Sequence, residues 1–387
     1  MTIRRMIFNE TSYFGPGARR MLPEEIGKRH LKKAFVVTDK ELLEHNVTQL
    51  VLNTLESAGI PYITYDDVKP NPTIQNVQRG VDKYRASDTD FIIAVGGGSA
   101  IDTAKGIGII MNNPEFYDVR SLYGLSPTKN RSVPVIALPT TAGTAAEVTI
   151  NYVITDLSIP KKYPCIDPND LPILAIVDPE LMVSQPKGLT ASVGMDALTH
   201  AIEGYIAKDA WEMSDMFGLK AISLISRHLE TAVSRPVDIA ARDGMGVAQY
   251  IAGMGFSNVG LGLVHAMAHQ LGAYYNIAHG VANALLLPYI MEYNAPAVEE
   301  KFRDIAIAMG VEEAKAMTGR EASYAAVNAV RALSIRIGIP QKLSEIGIKE
   351  EDLPVLAASA MKDPCISGNP RDPSIDEVLG LFRAAYA

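Results

Sequence analysis

The sequence predicts an α/β chain in two parts, a mostly parallel sheet with flanking helices followed by an all-α domain. Three observations predict it. Short β-rich runs alternate with helical stretches through the first half, the pattern turns wholly helical after Pro186, and 387 residues exceed what one ordinary core organises. We place the domains at residues 1–186 and 187–387. No linker separates them and no repeat is visible, so a ligand site in the cleft between the two is expected.

The elements follow in order. Lys33 to Asp39 reads as a buried strand, Leu42 to Ala58 as a helix ended by Gly59, and Tyr62 to Tyr65 as a second strand. Asn76 to Ala86 is a helix, Phe91 to Val95 a third strand, Ser99 to Ile110 a helix, and Pro134 to Leu138 a further strand. Strands and helices alternating at this spacing build βαβ units. Leu189 to Ile206, Glu212 to Thr231, Ile239 to Phe256 and Lys301 to Met309 are helical, rich in alanine and methionine and poor in β-branched runs.

Composition narrows the function. Hydrophobic residues are 48% and charged residues 21%, which fits a folded soluble chain. The net charge of −8, without a basic run, excludes nucleic acid as the expected partner. No window has the roughly 18 clean apolar residues of a membrane span, and Asn9, Glu10 and Thr11 interrupt any apolar segment behind Arg4 and Arg5. Cys165 and Cys365 make no disulfide framework, so the cytoplasm is the expected compartment.

Gly96-Gly97-Gly98-Ser99 follows the strand Phe91 to Val95 and opens a helix. Glycines admit a close ligand, and the helix start offers unpaired N–H groups, which together suit a pyrophosphate. The spacing is not G-x-G-x-x-G, so a ligand-free turn is the competing reading. Pro139 to Glu147 is a second polar loop after a strand, and its hydroxyls read first as caps of a following helix. Asp39 ends the first strand, where it suits either an adenosine ribose or the N-cap of the next helix.

The histidines carry the chemistry. Asp196 and His200 stand at i and i+4, as do His265 and His269, and His279 follows in Asn276-Ile277-Ala278-His279-Gly280. On a helix each pair shares a face, about 6 Å apart. Such groups in Ala/Met/Leu surroundings need partners, since burial unpaired costs a few kcal/mol each. A divalent cation satisfies them together, Zn²⁺ or Fe²⁺ rather than Ca²⁺ or Mg²⁺, and a polar network between helices is the alternative. Spacing alone leaves His269 and His279 equal as ligands. His30, His45 and His228 read as solvated.

Longer stretches then resemble a known family. They include Asn9-Glu10-Thr11, Val37-Thr38-Asp39-Lys40, Pro70-Asn71-Pro72-Thr73, Gly96-Gly97-Gly98-Ser99, Pro139 to Glu147 and Asn151 to Asp156. Asp196-Ala197-Leu198-Thr199-His200-Ala201-Ile202-Glu203, Gly253 to Asn258 and Gly260 to His265 complete them. Nearly end to end, the chain resembles the iron-containing (group III) alcohol dehydrogenases. The resemblance implies an N-terminal Rossmann-like domain, a C-terminal all-helical domain, and metal and NAD in the interdomain cleft. It implies Asp196, His200, His265 and His279 as ligands of Fe²⁺, with Zn²⁺ the alternative, and His269 as the catalytic non-ligand histidine. NAD is expected along Asp39, Asn71, Gly97, Gly98, Ser99, Thr140, Thr141, Thr144, Asn151, Lys162 and Leu181, and the assembly is expected to be a homodimer. The implied reaction is reversible reduction of lactaldehyde, or a similar short-chain aldehyde, to the diol. Dehydrogenases of 1,3-propanediol, glycerol or another short alcohol are the alternatives.

Some positions depart from the family pattern. Ala100 stands where proline is common after the glycine-rich turn, Gln270 follows His269 in place of proline, and Ile277-Ala278 replaces Thr-Pro before His279. The last two bear on substrate preference, for which Phe256 and Asn151 are candidate walls. Two rivals are weaker. A lyase of the dehydroquinate-synthase type binds a phosphate- and carboxylate-bearing substrate and needs Lys or Arg at the metal, yet residues 189–206 and 257–284 contain none. A non-catalytic NAD-binding protein has no need of all four ligands. Cys365 is placed in a loop, either an oxidation-sensitive thiol or a buried small residue.

Overall fold

The computed structural model describes residues 3–159 and 161–387. It divides into two compact units, one running to Gln185 and including Val237–Tyr250, the other comprising Pro186–Pro236 and Ile251–Ala387. The helix Ile239–Val259 therefore contributes to both, a division its sequence pattern does not announce.

Among the described residues the first unit holds nine strands: β1 (Thr11–Phe14), β2 (Ala34–Val37), β3 (Tyr62–Tyr65), β4 (Phe91–Gly96), β5 (Gly124–Leu125), β6 (Val135–Pro139), β7 (Asn151–Asp156), β8 (Lys161–Ile166) and β9 (Leu174–Val177). Six of them form a parallel sheet in the order β1-β9-β6-β4-β2-β3. Alternation along its strands divides the core in two. Phe35, Val37, Ile92, Ala94, Val135 and Ala137 pack on one face with Val77, Ile101 and Ile107. Ala34, Val36, Phe91, Ile93, Ile136 and Leu138 pack on the other with Leu22, Val51 and Leu55. Burial on both faces is why these strands read as unbroken apolar runs.

Two expectations are corrected here and one element is added. The stretch Leu42 to Ala58 is two helices, Lys40–Glu44 and Val47–Ser57, broken where Asn46 takes a left-handed conformation at φ 58°. The loop after β6 leads into β7 and not into a helix, so its threonines cap nothing there. A small second sheet, β5-β8-β7, was not foreseen: β5 has two residues, and β7 alternates half-buried with buried positions.

The second unit is helical throughout. Lys187–Ile206, Leu263–Tyr275 and His279–Asn294 are the helices that matter for the chemistry. Among the described residues no single helix is long and apolar enough to cross a membrane.

Candidate metal centre and cofactor site

Asp196 and His200 project from Lys187–Ile206, His265 from Leu263–Tyr275, and His279 is the first residue of its helix. The structure brings the four together. Each offers one ligand atom, and all lie within 4.8 Å of one another. His265 Nε2 is 3.0 Å from His200 Nε2, and Asp196 Oδ1 is 3.6 Å from His279 Nε2. Asp196, His200 and His265 are buried, while His279 is partly open.

The close approach has a local cause at Gly280. A Cβ there would stand 2.6 Å from Ser192 O and 2.8 Å from the Ser192 carbonyl carbon. Only glycine lets the His279 helix start this near the Asp196 helix.

The donor set fits a divalent cation. Asn283 Nδ2 faces three acceptors, Asp196 Oδ1 at 2.6 Å and the Nε2 atoms of His265 and His279 at 3.1 Å each. Its two hydrogens cannot serve all three, and its own Oδ1 is buried without a partner. A cation facing the three imidazoles and the carboxylate supplies the missing positive centre. His265 is prepared for this. Its Nδ1 donates to Glu203 Oε2 at 2.6 Å, leaving the Nε2 lone pair on the side of the other donors. Burial holds the His265 imidazolium down at about 3, so the ring is neutral at physiological pH. Glu203 is itself pushed up by burial, against the N–H groups it accepts, among them Val264 at 2.7 Å.

His269 resolves differently from His279. Its Nδ1 lies 2.9 Å from Asp363 Oδ2, and its ring stacks near His279, 5.5 Å between centroids at 19°. Phe256 stacks on His200 at 4.3 Å and 12°. Cys365 is half-buried in the 3-10 turn Pro364–Gly368. His30 and His45 are exposed, whereas His228 is half-buried.

The expected cofactor residues gather in the first unit. Asp39, Gly97 and Thr140 follow the carboxyl ends of the adjacent strands β2, β4 and β6, the edge where open α/β sheets bind ligands. Gly97 precedes the helix Gly98–Asn112 with no side-chain cap, so the first N–H groups of that helix are left for another acceptor. A Cβ at Gly97 would meet Thr141 Oγ1 at 3.0 Å, and one at Gly98 would meet Thr144 Cγ2 at 2.8 Å. The glycines and the threonines of the second polar loop thus form one cradle, with Ser99 beside them. Lys162 Nζ donates to Asn71 Oδ1 at 3.1 Å, tying two more of these residues together. Asn151 is fixed through its carbonyl, which accepts from the fully buried Lys105 Nζ at 2.8 Å. Asp39 does cap a helix, accepting from the Leu42 N–H at 2.9 Å. Leu181 is the exception, since its side chain lies in the core cluster with Val36 and Leu55.

Three residues of the metal centre were missed by sequence reading: Glu203, Asn283 and Asp363. For Glu203 a signal existed, because it lies three residues beyond His200 and seven beyond Asp196 on one helix face. Asn283 also carried one, lying four residues beyond His279 on one helix with Nδ2 3.1 Å from His279 Nε2, whereas Asp363 meets His269 only through the tertiary fold.

Comparison with known proteins bears on both sites. Residues 9–179 match the family model described as iron-containing alcohol dehydrogenase, and residues 190–386 match that of the C-terminal part of the Fe-containing alcohol dehydrogenase family. The chain is 52% identical over 382 residues to lactaldehyde reductase of Escherichia coli (strain K12), covering 99% of each. It is similar to the crystal structure of a 1,3-propanediol oxidoreductase, at 42% identity and a TM-score of 0.96 over the whole of both chains. It is also similar to sulfoacetaldehyde reductase from Bifidobacterium kashiwanohense in complex with NAD⁺, at 29% identity, a TM-score of 0.89 and full coverage of both chains.

Proposed function

The chain belongs to the iron-containing alcohol dehydrogenase family, and from that premise we propose that it reversibly reduces lactaldehyde, or a similar short-chain aldehyde, to the diol with NADH. The observation that carries the substrate is the 52% identity, spanning 99% of both chains, to a lactaldehyde reductase. The 42% identity to the 1,3-propanediol oxidoreductase supports that substrate less well. A panel of lactaldehyde, propane-1,2-diol, propane-1,3-diol, glycerol, ethanol and butanol separates the two readings.

In this reading Asp196, His200, His265 and His279 hold one divalent ion, iron first and zinc as the alternative for the same donors. When bound, the ion supplies Lewis acidity toward the substrate oxygen and the nicotinamide supplies the hydride. The chain's own part is placement and proton handling. Glu203 keeps the Nδ1 hydrogen of His265 in place, so Nε2 stays a lone-pair donor. His269 takes the hydroxyl proton in oxidation and returns it in reduction. Phe256 gives the His200 side of the site an apolar wall. In the first unit the uncapped helix start and the glycine–threonine cradle hold the pyrophosphate, and Asp39 binds the adenosine ribose. We further propose a homodimer in the cytoplasm, with no membrane or nucleic-acid partner. Two cysteines without a disulfide suit that reducing compartment.

Chelation tests the metal. Dialysis against a chelator is expected to abolish NADH-dependent lactaldehyde reduction, and Fe²⁺ or Zn²⁺ to restore part of it; full activity in metal-free protein contradicts the assignment.

Asp39→Gly tests the cofactor reading. Glycine is an adequate N-cap, only a few tenths of a kcal/mol below aspartate, so the helix survives while the carboxylate is lost. We expect the preference for NADH over NADPH to fall by about tenfold or more, since a carboxylate there repels a 2′-phosphate. An unchanged ratio of kcat/KM for the two cofactors removes Asp39 from the ribose site.

A further inference from the structure

One buried carboxylate beside the metal centre has no role in the scheme above. Asp363 precedes the 3-10 turn Pro364–Gly368 and is held by it, because its Oδ1 accepts the Cys365 N–H at 3.0 Å. Its Oδ2 faces His269 Nδ1 at 2.9 Å, with both side chains less than a tenth exposed. Gln270, which stands where the family pattern has proline, anchors its amide on Ala266 O at 3.0 Å and brings Nε2 to 3.5 Å from the same Oδ2. Oδ1 takes the Cys365 N–H, and Oδ2 is flanked by the His269 ring nitrogen and the Gln270 amide, so both oxygens stand as the acceptors of a carboxylate. An ionised carboxylate only accepts. The hydrogen of a neutral His269 is therefore on Nδ1, and Nε2 carries the lone pair. Without Asp363 the ring could present either nitrogen.

We propose that Asp363 is a positioning residue: it fixes the tautomer and ring orientation of His269 so that Nε2 is the nitrogen that exchanges the substrate proton. In alcohol oxidation the O–H bond breaks and its proton forms an N–H bond at Nε2. The C–H hydride goes to C4 of the nicotinamide, a carbonyl forms, and the proton then leaves to solvent. Asp363 keeps the Nδ1 hydrogen throughout and faces the imidazolium that forms. The inference rests on the reading of His269 as the proton carrier.

The test is a double-mutant cycle in the metal-loaded enzyme, with His269→Ala, Asp363→Asn, Asp363→Glu and the double variant His269→Ala/Asp363→Asn. For each, kcat, KM for aldehyde and for NADH, and bound metal are measured. Asp363→Asn is expected to lower kcat about 100-fold, as a wrongly held histidine does elsewhere. Metal content and KM for NADH should stay within twofold of the unsubstituted enzyme. Asp363→Glu should recover roughly tenfold of that loss, because it restores the acceptor at a displaced position. In the His269→Ala background Asp363→Asn should have no further effect on kcat, since residues acting as a unit are not additive. Wild-type kcat in Asp363→Asn, or a loss that persists undiminished in the His269→Ala background, overturns the proposal. Should Asp363→Asn fail to fold, Asp363→Glu carries the same cycle: a tenfold loss beside His269 and none beside alanine. Full activity in His269→Ala is a separate outcome. It removes the proton-carrier reading itself and the proposal with it.

Discussion

Asp196→Ala is expected to leave a folded protein that binds almost no metal and reduces lactaldehyde on the order of 1,000-fold more slowly, because polarisation of a carbonyl by a bound ion is worth several kcal/mol. Asp196 is the one carboxylate among the four donors, and it lies within 4.0 Å of ligand nitrogens on all three histidines. Its removal takes away the one negative charge among the four donors and leaves three imidazoles. It also strips Asn283 Nδ2 of its nearest acceptor, at 2.6 Å. The helix itself has little to lose, since alanine is the best helix former. Bound metal by elemental analysis and kcat/KM for lactaldehyde, measured on the same sample, decide the matter. Stoichiometric metal with wild-type turnover would remove Asp196 from the centre.

Gly280→Ala is expected to damage the metal centre with a single methyl group. The new Cβ would press on the backbone of Ser192, at 2.6 Å from its oxygen, and a backbone inside two packed helices does not swing aside. The first turn of the His279 helix must retreat, carrying the ligand away from Asp196. A misplacement near 1 Å can cost a reaction roughly 100-fold, and overpacking of this kind destabilises by about 1–3 kcal/mol. We expect metal affinity to fall by a comparable factor, read by titration of the metal-free protein. Gly188→Ala is the control, because a Cβ there meets nothing within 4 Å. Equal metal affinity in the two variants would show that the helix start does not set the position of His279.

The sheet of the first unit was legible because its strands are buried on both faces, so Phe35 to Val37 and Phe91 to Val95 show as plain apolar runs. The second sheet was not, because Asn151, Val153 and Thr155 of β7 are only half-buried and β5, at the other edge beyond β8, is two residues long. The break at Asn46 was hidden for another reason: periodicity in Leu42 to Ala58 records which side is apolar and not whether one residue adopts a left-handed conformation. In the metal centre the i,i+4 pairs announced themselves through helix geometry. Spacing does not choose between His269 and His279; the family resemblance does, and the contact that sets His269 apart in the fold comes from Asp363, 94 residues further along the chain. Glu203 and Asn283 did leave a signal, three residues from His200 and four from His279 on shared helices, whereas Asp363 has no required spacing from His269.

The four donors come from three helices, and His200 and His265, which nearly touch, are 65 residues apart in the chain. No single helix supplies more than two of the four. The quartet exists only after the helical unit has closed, so metal capture follows folding instead of nucleating it. Three imidazoles and a carboxylate discriminate weakly among first-row divalent ions. On the reading proposed above, protein isolated from iron-rich and from zinc-rich growth is then expected to differ in bound metal, as elemental analysis would read.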